Sequence, residues 1–497
     1  MAAGLVATVA SATGAGAAGA SLGASQNSSH SPQSSPPFPS TNVTFVGHGF
    51  GPGYGMGQWG AFGDAAQLHW TYHQILVHYY SDTSHPVTTA TLSSKTDGEI
   101  VKVVIEENDN DPMTVTSPSA FTFMGEDGKT VATIGAGQAA RVFEQGKPGA
   151  LTGIWTLESA STCTSTSWKV LETNLHDPVA VPASLQASAP RSDLLTLCRG
   201  DGQDVTYRGR LEGYDYYGAN TGDEHLERTL NLIALEQYVS DVTPGESPAG
   251  WGTYGGTTGA PQAEPWGFQE LEAQAVASRS YVLYEIASGG WYGYADICDD
   301  ICEYYSAGIK YETPLTTFAT RDTSGQYLMQ DGIPAPTEYE ASSGGYTEAL
   351  SYWNGQSIFD AVRDVGDAVC IGGRGTLGCN PVHTWPNSVP VAAVEKVFPS
   401  VGTLVSVKVT RTDSSGRVTE MEIVGQKSTT TVNGGTFTAD FGGFFSTMFA
   451  VTDGPGATKS GVASASGTPV AASTAAGAGV PGLQPPVVAG TPQGGHG

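Results

Sequence analysis

Short apolar runs alternate with polar, glycine-rich stretches over most of the chain. Runs of this kind, bounded by turn-forming residues, predict β-strands, of which the clearest are Val101–Glu106, Ala120–Met124 and Lys169–Thr173. Helical spacing of apolar residues is convincing in two segments, Ala234–Val242 and Phe268–Ala287. The pattern therefore predicts an α+β fold, a strand-rich single domain with two main helices and β-hairpins.

Both hairpins are predicted near the C-terminal end of this domain. Leu404–Arg411 and Val418–Val424 alternate in polarity, and the Ser-Gly pair between them favours a tight turn. Thr429–Val432 and Thr436–Ala439 are separated by Asn-Gly, the pair most typical of a two-residue hairpin turn. We therefore expect four strands in this region.

One charged residue lies on the apolar stripe of the longer helix. Leu271, Ala275, Arg279, Val282 and Ile286 are spaced so that they share one helix face. If this face packs against the core, the guanidinium needs a carboxylate or several carbonyl acceptors, because an unpaired buried charge is very costly. The stripe predicts a polar pocket there; the alternative is an arginine that reaches solvent at the edge of the core.

Glu246 is the nearest candidate acid for such a pocket. Pro244, Gly245 and Pro248 surround it and predict a rigid turn after the shorter helix, from which the carboxylate is presented. On composition alone, a solvated glutamate in a turn is the simpler interpretation.

The ends of the chain are of low complexity, and we expect both to be disordered. Residues 1–25 predict the apolar part of a secretion signal, truncated because its basic leader lies upstream; an Ala/Gly leader is the alternative. Residues 26–40 are a Ser/Pro-rich linker, 41–453 the folded domain and 454–497 a low-complexity tail. No other stretch approaches the ~20 apolar residues of a membrane span.

The net charge limits the classes of partner. Asp and Glu outnumber Lys and Arg by 48 to 22, which gives a net charge of −26. This charge repels nucleic acids and anionic membrane surfaces. It is compatible with a neutral glycan, since sugars are held by aromatic faces and hydrogen bonds; the alternative is that the acidity only keeps the protein in solution.

The cysteines predict disulfides. They fall into three local pairs, Cys163 with Cys198, Cys298 with Cys302, and Cys370 with Cys379. The last pair encloses a glycine-rich loop and is the clearest. Zinc at Cys298 and Cys302, with His383 as a further ligand, is the alternative, but the two close ligand pairs typical of a four-ligand zinc site are not present. We therefore expect no metal and no cofactor.

Several motifs occur together in the second half of the chain. LNLIALEQYVSDVTPGESP and GFQELEAQAVASRSYVLYE are followed by the cysteine segment Cys298–Tyr304, by EYEASSGGYTEALSYWNG and by TADFGGFFSTMFAV. In this order the motifs, which span residues 205–452, resemble the sporulation stage II protein D (SpoIID)/LytB family.

A glycine-rich motif lies outside the family's order. GHGFGPGYGMGQWGAFGDAAQ and QILVHYYSD, within residues 47–82, resemble a motif that usually closes the family's domain at its C-terminal side. Because this motif must lie beside the others in space, the order predicts a permuted version of the same fold. Pro52 stands where the family usually has a histidine, so His48 is the candidate to replace it.

The resemblance implies a cell-wall enzyme. Family members are lytic transglycosylases that cleave peptidoglycan strands stripped of stem peptides, between N-acetylmuramic acid and N-acetylglucosamine, and leave 1,6-anhydro ends. It implies Glu246 as the single general acid/base. Such an acid works best with a raised pKa, which a direct pair with Arg279 would oppose, so Arg279 is assigned to substrate or loop positioning.

Further site residues follow from the same motifs. Besides Arg279, the predicted substrate-binding residues are His48, Gln58, Trp59, Gln274, Ser342, Ser343, Gly344, Gly345 and Thr347. For each of them a structural role is the alternative, since Ser-Ser-Gly-Gly is also a good turn.

Together these features predict a secreted protein of the cell wall that acts on peptidoglycan glycan strands. A cell-wall amidase is a further expected partner. Two alternatives remain, a glycan-binding or amidase-enhancing module without chemistry of its own, and a structural wall protein with a degenerate domain. A carboxylate at position 246 is needed only by the enzyme.

Overall fold

The structure of the protein is a computed structural model. It describes residues 35–82, 85–92, 98–146, 152–216, 226–258, 264–299, 302–303, 305, 307–351, 357–455 and 457. The predicted signal, residues 26–34 of the predicted linker and nearly all of the predicted tail lie outside the described residues.

Seven α-helices occur within the described residues. They are α1 (Gln58–Ala66), α2 (Tyr72–Tyr79), α3 (Leu235–Glu246), α4 (Phe268–Ser288), α5 (Pro314–Asp322), α6 (Val391–Val397) and α7 (Gly434–Phe441). The two helices predicted from apolar periodicity correspond to α3 and α4, and strands outnumber helices. The prediction of a strand-rich α+β fold is therefore confirmed.

Two large sheets share one apolar core. In spatial order, the seven-stranded sheet contains Ile297–Cys298, Ile100–Val104, Leu226–Ala234, Arg210–Tyr216, Val179–Val181, Phe121–Met124 and Thr130–Ile134. The six-stranded sheet contains Lys169–Leu175, Trp155–Ala160, Ala139–Glu144, Met113–Thr116, Leu195–Leu197 and Val205–Tyr207. Phe121, Trp155, Tyr238 and Val282 belong to one cluster of buried side chains, which joins both sheets to α3 and α4.

Two three-stranded sheets form a second region around its own core. One contains Leu404–Thr412, Val418–Gly425 and Thr429–Val432, and its first two strands are the predicted hairpin. The other contains Trp385–Pro390, Asn42–Gly47 and Phe449–Val451. The strand that precedes the glycine-rich motif is thus paired with strands from the C-terminal part of the chain on both sides.

The second predicted hairpin is wrong. Thr429–Val432 is a strand, but Thr436–Ala439 lies within α7. The Asn433 side chain accepts a hydrogen bond from the backbone N–H of Gly435, so Asn433 caps a helix instead of forming a hairpin turn. Phe437 is fully buried in the second core, which favours the helix.

Short strands connect the motifs around α4. Gln326–Gln330 pairs with Ile333–Pro334 and Thr88–Thr91, Tyr339–Glu340 pairs in parallel with Met56–Gly57, and Leu350–Ser351 pairs with Ser357–Phe359. A third cluster of buried side chains, including Ala61, Leu76 and Ala277, joins α1 and α2 to α4. This packing holds the N-terminal motif against the helix that carries Gln274.

The three predicted disulfides are present, Cys163–Cys198, Cys298–Cys302 and Cys370–Cys379. Such bonds are typical of proteins in oxidising compartments. Among the described residues, none of the helices has the length and apolar character needed to cross a membrane.

Candidate functional site

Glu246 is the last residue of α3, not a residue of a separate turn. The helix continues through Pro244, and the Ser247 N–H closes its end on the Thr243 carbonyl at 2.9 Å. Glu246 is half-buried. Its carboxylate Oε2 accepts a hydrogen bond of 2.9 Å from Nε2 of Gln58, and Gln58 is the first residue of α1.

A line of buried polar side chains extends from this contact along α4. Gln58 Nε2 is also 3.4 Å from Gln274 Oε1, and Gln274 Nε2 donates to Ser278 Oγ at 3.1 Å. Ser247 Oγ donates to Glu270 Oε1 at 2.5 Å, and burial raises the pKa of Glu270 to about 8. Two of the predicted site residues, Gln58 and Gln274, therefore lie together at Glu246.

A second carboxyl group lies near Glu246 and was not predicted from the sequence. Glu303 is buried and accepts hydrogen bonds from the hydroxyls of Tyr238 and Tyr339. The pKa of Glu303 is raised to about 8, mainly by burial and to a lesser extent by the charge of Glu246. The one sequence feature that could have pointed to Glu303 is its position directly after Cys302, within the cysteine segment Cys298–Tyr304.

A cleft with a volume of 820 Å³ lies beside the end of α3. This volume is within the range of small-ligand sites. The cleft is lined by Trp59, by Tyr311 and Thr313, by Pro244, Gly245, Pro248 and Ala249 around Glu246, and by residues of the segment 368–384, here named the cleft loop. Trp59 is held in place by Trp251, whose ring centroid is 4.6 Å away.

The cleft loop contributes a histidine that is paired with a buried aspartate. His383 lines the cleft, and its Nδ1 is 2.6 Å from Oδ2 of Asp367, a fully buried carboxylate. The other oxygen of Asp367 accepts hydrogen bonds from Ser342 Oγ at 2.7 Å and Asn380 Nδ2 at 3.2 Å. The sequence suggested His383 only as an additional zinc ligand, and a His-Asp pair separated by 16 residues has no local signal.

The predicted residues of the Ser-Gly loop mainly hold the site together. Ser342 positions Asp367, and Ser343 Oγ donates to Asp364 Oδ2 at 2.7 Å. Thr347 exchanges hydrogen bonds with the backbone of Val362. All three predicted hydroxyl residues are buried, so their contacts are with the protein.

The two glycines of this loop differ. Gly344 has a φ of +75°, and a Cβ there would be 2.8 Å from the carbonyl carbon of His48 and 2.9 Å from the nitrogen of Gly49. A side chain would therefore separate the loop from the N-terminal motif. Gly345 has more space, with the His383 ring as its nearest neighbour.

His48 lies next to His383, with the ring centroids 5.9 Å apart. Its Nδ1 is 3.2 Å from the His383 carbonyl oxygen and 3.2 Å from Thr384 Oγ1. Burial, and next the neighbouring His383 ring, lower the pKa of His48. The imidazole is therefore near the cleft loop, although it is not among the residues that line the cleft.

Arg279 occupies a different place from the one its predicted substrate-binding role requires. It is fully buried and donates two hydrogen bonds of 2.8 Å to the carboxylate of Glu236. A further bond of 3.0 Å goes to the carbonyl of Gln326, and Glu236 also accepts from the Gly325 N–H. Of the two predicted roles, this geometry fits loop positioning and leaves no surface for a substrate.

Within the described part of the chain, no group of three or more His, Cys, Asp or Glu side chains is arranged to hold a metal ion. Cys298 and Cys302, the pair considered for zinc, are bonded to each other.

Comparison with known proteins identifies one part of the chain. Residues 223–330 match the family model SpoIID, Stage II sporulation protein. This segment contains Glu246, Gln274 and Glu303, while Gln58 and His383 lie outside it. No curated protein matches the chain. Residues 223–330 therefore match the SpoIID family, as the motifs within them predicted, and this match is consistent with a role at the cell wall.

Proposed function

We propose that the protein is a secreted lytic transglycosylase that cleaves peptidoglycan glycan strands without stem peptides. The observation that supports this most directly is the 2.9 Å hydrogen bond between Gln58 of the glycine-rich motif and Glu246, whose chain neighbours Gly245 and Pro248 line the cleft. Two motifs far apart in the chain thereby meet at one carboxyl group, beside a cleft of sugar size.

In the proposed reaction Glu246 gives up one proton and takes one back. The protonated carboxyl donates to the glycosidic oxygen as the bond from this oxygen to C1 of the muramic acid breaks. The resulting carboxylate then accepts the proton of the muramic C6 hydroxyl, whose oxygen attacks C1 and closes the 1,6-anhydro ring. Water is not consumed, so a second enzymic carboxylate for water or covalent attack is not required.

The residues around Glu246 have supporting roles in this proposal. Gln58 orients the carboxyl group, and Gln274 and Ser278 hold Gln58 in turn. Glu303 is neutral near pH 7 because burial raises its pKa to about 8, so it adds no fixed charge beside the acid. Trp59 lines the cleft but is only 4% exposed, so it shapes the wall of the cleft and is held there by Phe62 and Trp251.

A test compares the wild-type protein with Glu246→Gln on denuded glycan strands, with the fragments analysed by mass spectrometry. We expect anhydro-ended fragments from the wild type and a rate about 10²–10⁴-fold lower from the variant. Glu420→Gln, at a partly exposed glutamate on the strand Val418–Gly425 that does not line the cleft, is the matched control and should keep full activity.

A non-catalytic glycan-binding or amidase-enhancing module is the second candidate. It is favoured if denuded strands bind to the protein but neither the wild type nor the control releases fragments. The three disulfides support an oxidising location outside the cytoplasm for either function.

A further inference from the structure

The residues that line the cleft carry a charge opposite in sign to the net charge of the protein. The chain has 48 acidic and 22 basic residues. Among the described residues that line the cleft, however, none is Asp or Glu, while the cleft loop contributes Arg374 and His383. The cleft is thus suited to a group that is itself negatively charged.

Arg374 is at the exposed tip of the cleft loop. The Cys370–Cys379 disulfide closes the base of the tip, and Thr376 Oγ1 donates to the carbonyls of Ile371 and Gly373 at 2.8 and 2.7 Å. The conformation of the tip is therefore restrained both by the disulfide and by the hydrogen bonds of Thr376. In the described part of the chain, the Arg374 guanidinium has no carboxylate partner, so its donors are available to a ligand.

His383 is held more firmly than a surface histidine. Its Nδ1 is paired with Asp367, which is fully buried and receives further hydrogen bonds from Ser342 and Asn380. This pairing fixes the plane of the ring and leaves Nε2 as the nitrogen for a ligand, to which it donates a hydrogen bond when both ring nitrogens carry a proton. Burying the Asp367 carboxylate costs desolvation free energy, which its hydrogen bonds must offset. A histidine that only covers the surface would not require such a partner.

The chemistry of the proposed substrate provides a matching anion. A muramic acid without its stem peptide ends in a free lactyl carboxylate, whereas the stem peptide converts this group into a neutral amide. A guanidinium binds a carboxylate through two parallel hydrogen bonds, which makes arginine selective for this group.

We propose that Arg374 and His383 form a subsite for the lactyl carboxylate of peptide-free muramic acid. The subsite rests on the proposed function and deepens it, because it gives a physical reason for selecting strands without stem peptides. A strand with peptides offers an amide in place of the carboxylate and adds bulk beside the cleft loop.

Binding measurements on the Glu246→Gln protein test this subsite without turnover. The probes are denuded glycan strands and the same strands after conversion of their lactyl carboxylates to methylamides. We expect the methylamide strands to bind about tenfold more weakly, which corresponds to the loss of one charged hydrogen-bonded contact. Adding Arg374→Gln should weaken the binding of denuded strands by a similar factor and leave the binding of methylamide strands unchanged.

Arg411→Gln is the control, because Arg411 is an exposed arginine on the hairpin strand Leu404–Thr412. It should bind both probes as the parent does. His383→Gln, which keeps a polar side chain, should weaken the binding of denuded strands but not the binding of methylamide strands.

The outcomes separate the subsite from the proposed reaction. Equal binding of the two probes, no measurable binding of denuded strands, or an Arg374→Gln variant that binds like its parent would overturn the subsite, even if the wild type releases anhydro ends. Discrimination between the probes, together with a wild-type protein that releases no fragments from denuded strands, would support the subsite and refute the proposed reaction.

Discussion

Gln58 and Glu246 are 188 residues apart in the chain, yet their side chains are joined by a hydrogen bond of 2.9 Å. The amide of Gln58 is itself buried and close to Gln274, so it has little freedom to turn away. A general acid must be held at a fixed position relative to the leaving oxygen. At the scale of single residues, the orientation of Glu246 is therefore the task of Gln58.

Replacing Gln58 by alanine tests this role. The loss of one hydrogen bond to a charged group, worth ~1.5–3 kcal/mol, should lower kcat by about tenfold to hundredfold, with a smaller effect on KM. Gln203→Ala, an exposed glutamine, is the control. Unchanged kcat in the Gln58 variant, measured on denuded glycan, would remove Gln58 from the site.

Arg279 gives a prediction of the opposite kind. Replacing it by methionine removes the bonds to Glu236 and to the backbone around Gln326, so the free energy of unfolding should fall by ~3 kcal/mol. The folded variant should nevertheless keep most of its kcat, because Arg279 does not reach the cleft. Urea unfolding and steady-state kinetics, with Arg411→Met as control, measure the two effects; a selective loss of activity at unchanged stability would contradict this assignment.

At the scale of elements, helices α3 and α4 were predictable because their apolar residues repeat at helical spacing. Boundaries were harder. Pro244 suggested that α3 ends before Glu246, but the helix tolerates the proline near its C-terminal end. Asn433 and Gly434 fit both a hairpin turn and a helix start, and the burial of Phe437, which is a tertiary property, favours the helix.

The cleft loop is the element whose rigidity matters most for substrate binding. Replacing Cys370 and Cys379 by serine should lower the free energy of unfolding by ~2–3 kcal/mol. Because Arg374 and His383 would then be less ordered, KM should rise more than kcat falls. Serines at Cys163 and Cys198, which do not line the cleft, should reduce stability without raising KM. The same KM for both double variants would contradict this role of the loop.

At the scale of the whole molecule, the site combines segments that sequence patterns treat separately. The match to the SpoIID model includes Glu246 and Gln274 but not Gln58, Asp367 or His383. The contacts of these residues depend on pairing between distant strands, such as Met56–Gly57 with Tyr339–Glu340. Gln58 could be predicted because it lies in the glycine-rich motif that resembles the family. His383 and Asp367 could not be predicted as a pair, because no sequence motif contains both residues.

Buried carboxyl groups predict how stability depends on pH. Burial raises the pKa of several glutamates from 4.5 to about 8, namely Glu227, Glu270, Glu272, Glu303 and Glu340. Between these two values the folded protein holds protons that the unfolded chain releases. The free energy of unfolding should therefore be largest near pH 5 and fall as the pH rises to about 8.

Urea unfolding at a series of pH values measures this slope. Glu303→Gln, which replaces one such carboxyl by a neutral group of the same shape, should make the slope shallower. Glu420→Gln, which replaces a partly exposed glutamate, should leave the slope unchanged. Stability that increases over this pH range would contradict the protonated state of the buried groups.

The most direct measurement of the central claim is digestion of denuded glycan in water enriched in oxygen-18, followed by mass spectrometry of the new ends. Because the attacking oxygen is the substrate's own C6 hydroxyl and Glu246 transfers the protons, the wild type should yield anhydro ends without oxygen-18, and Glu246→Gln almost none. Ends that carry oxygen-18, or equal product from the two proteins, would contradict the account.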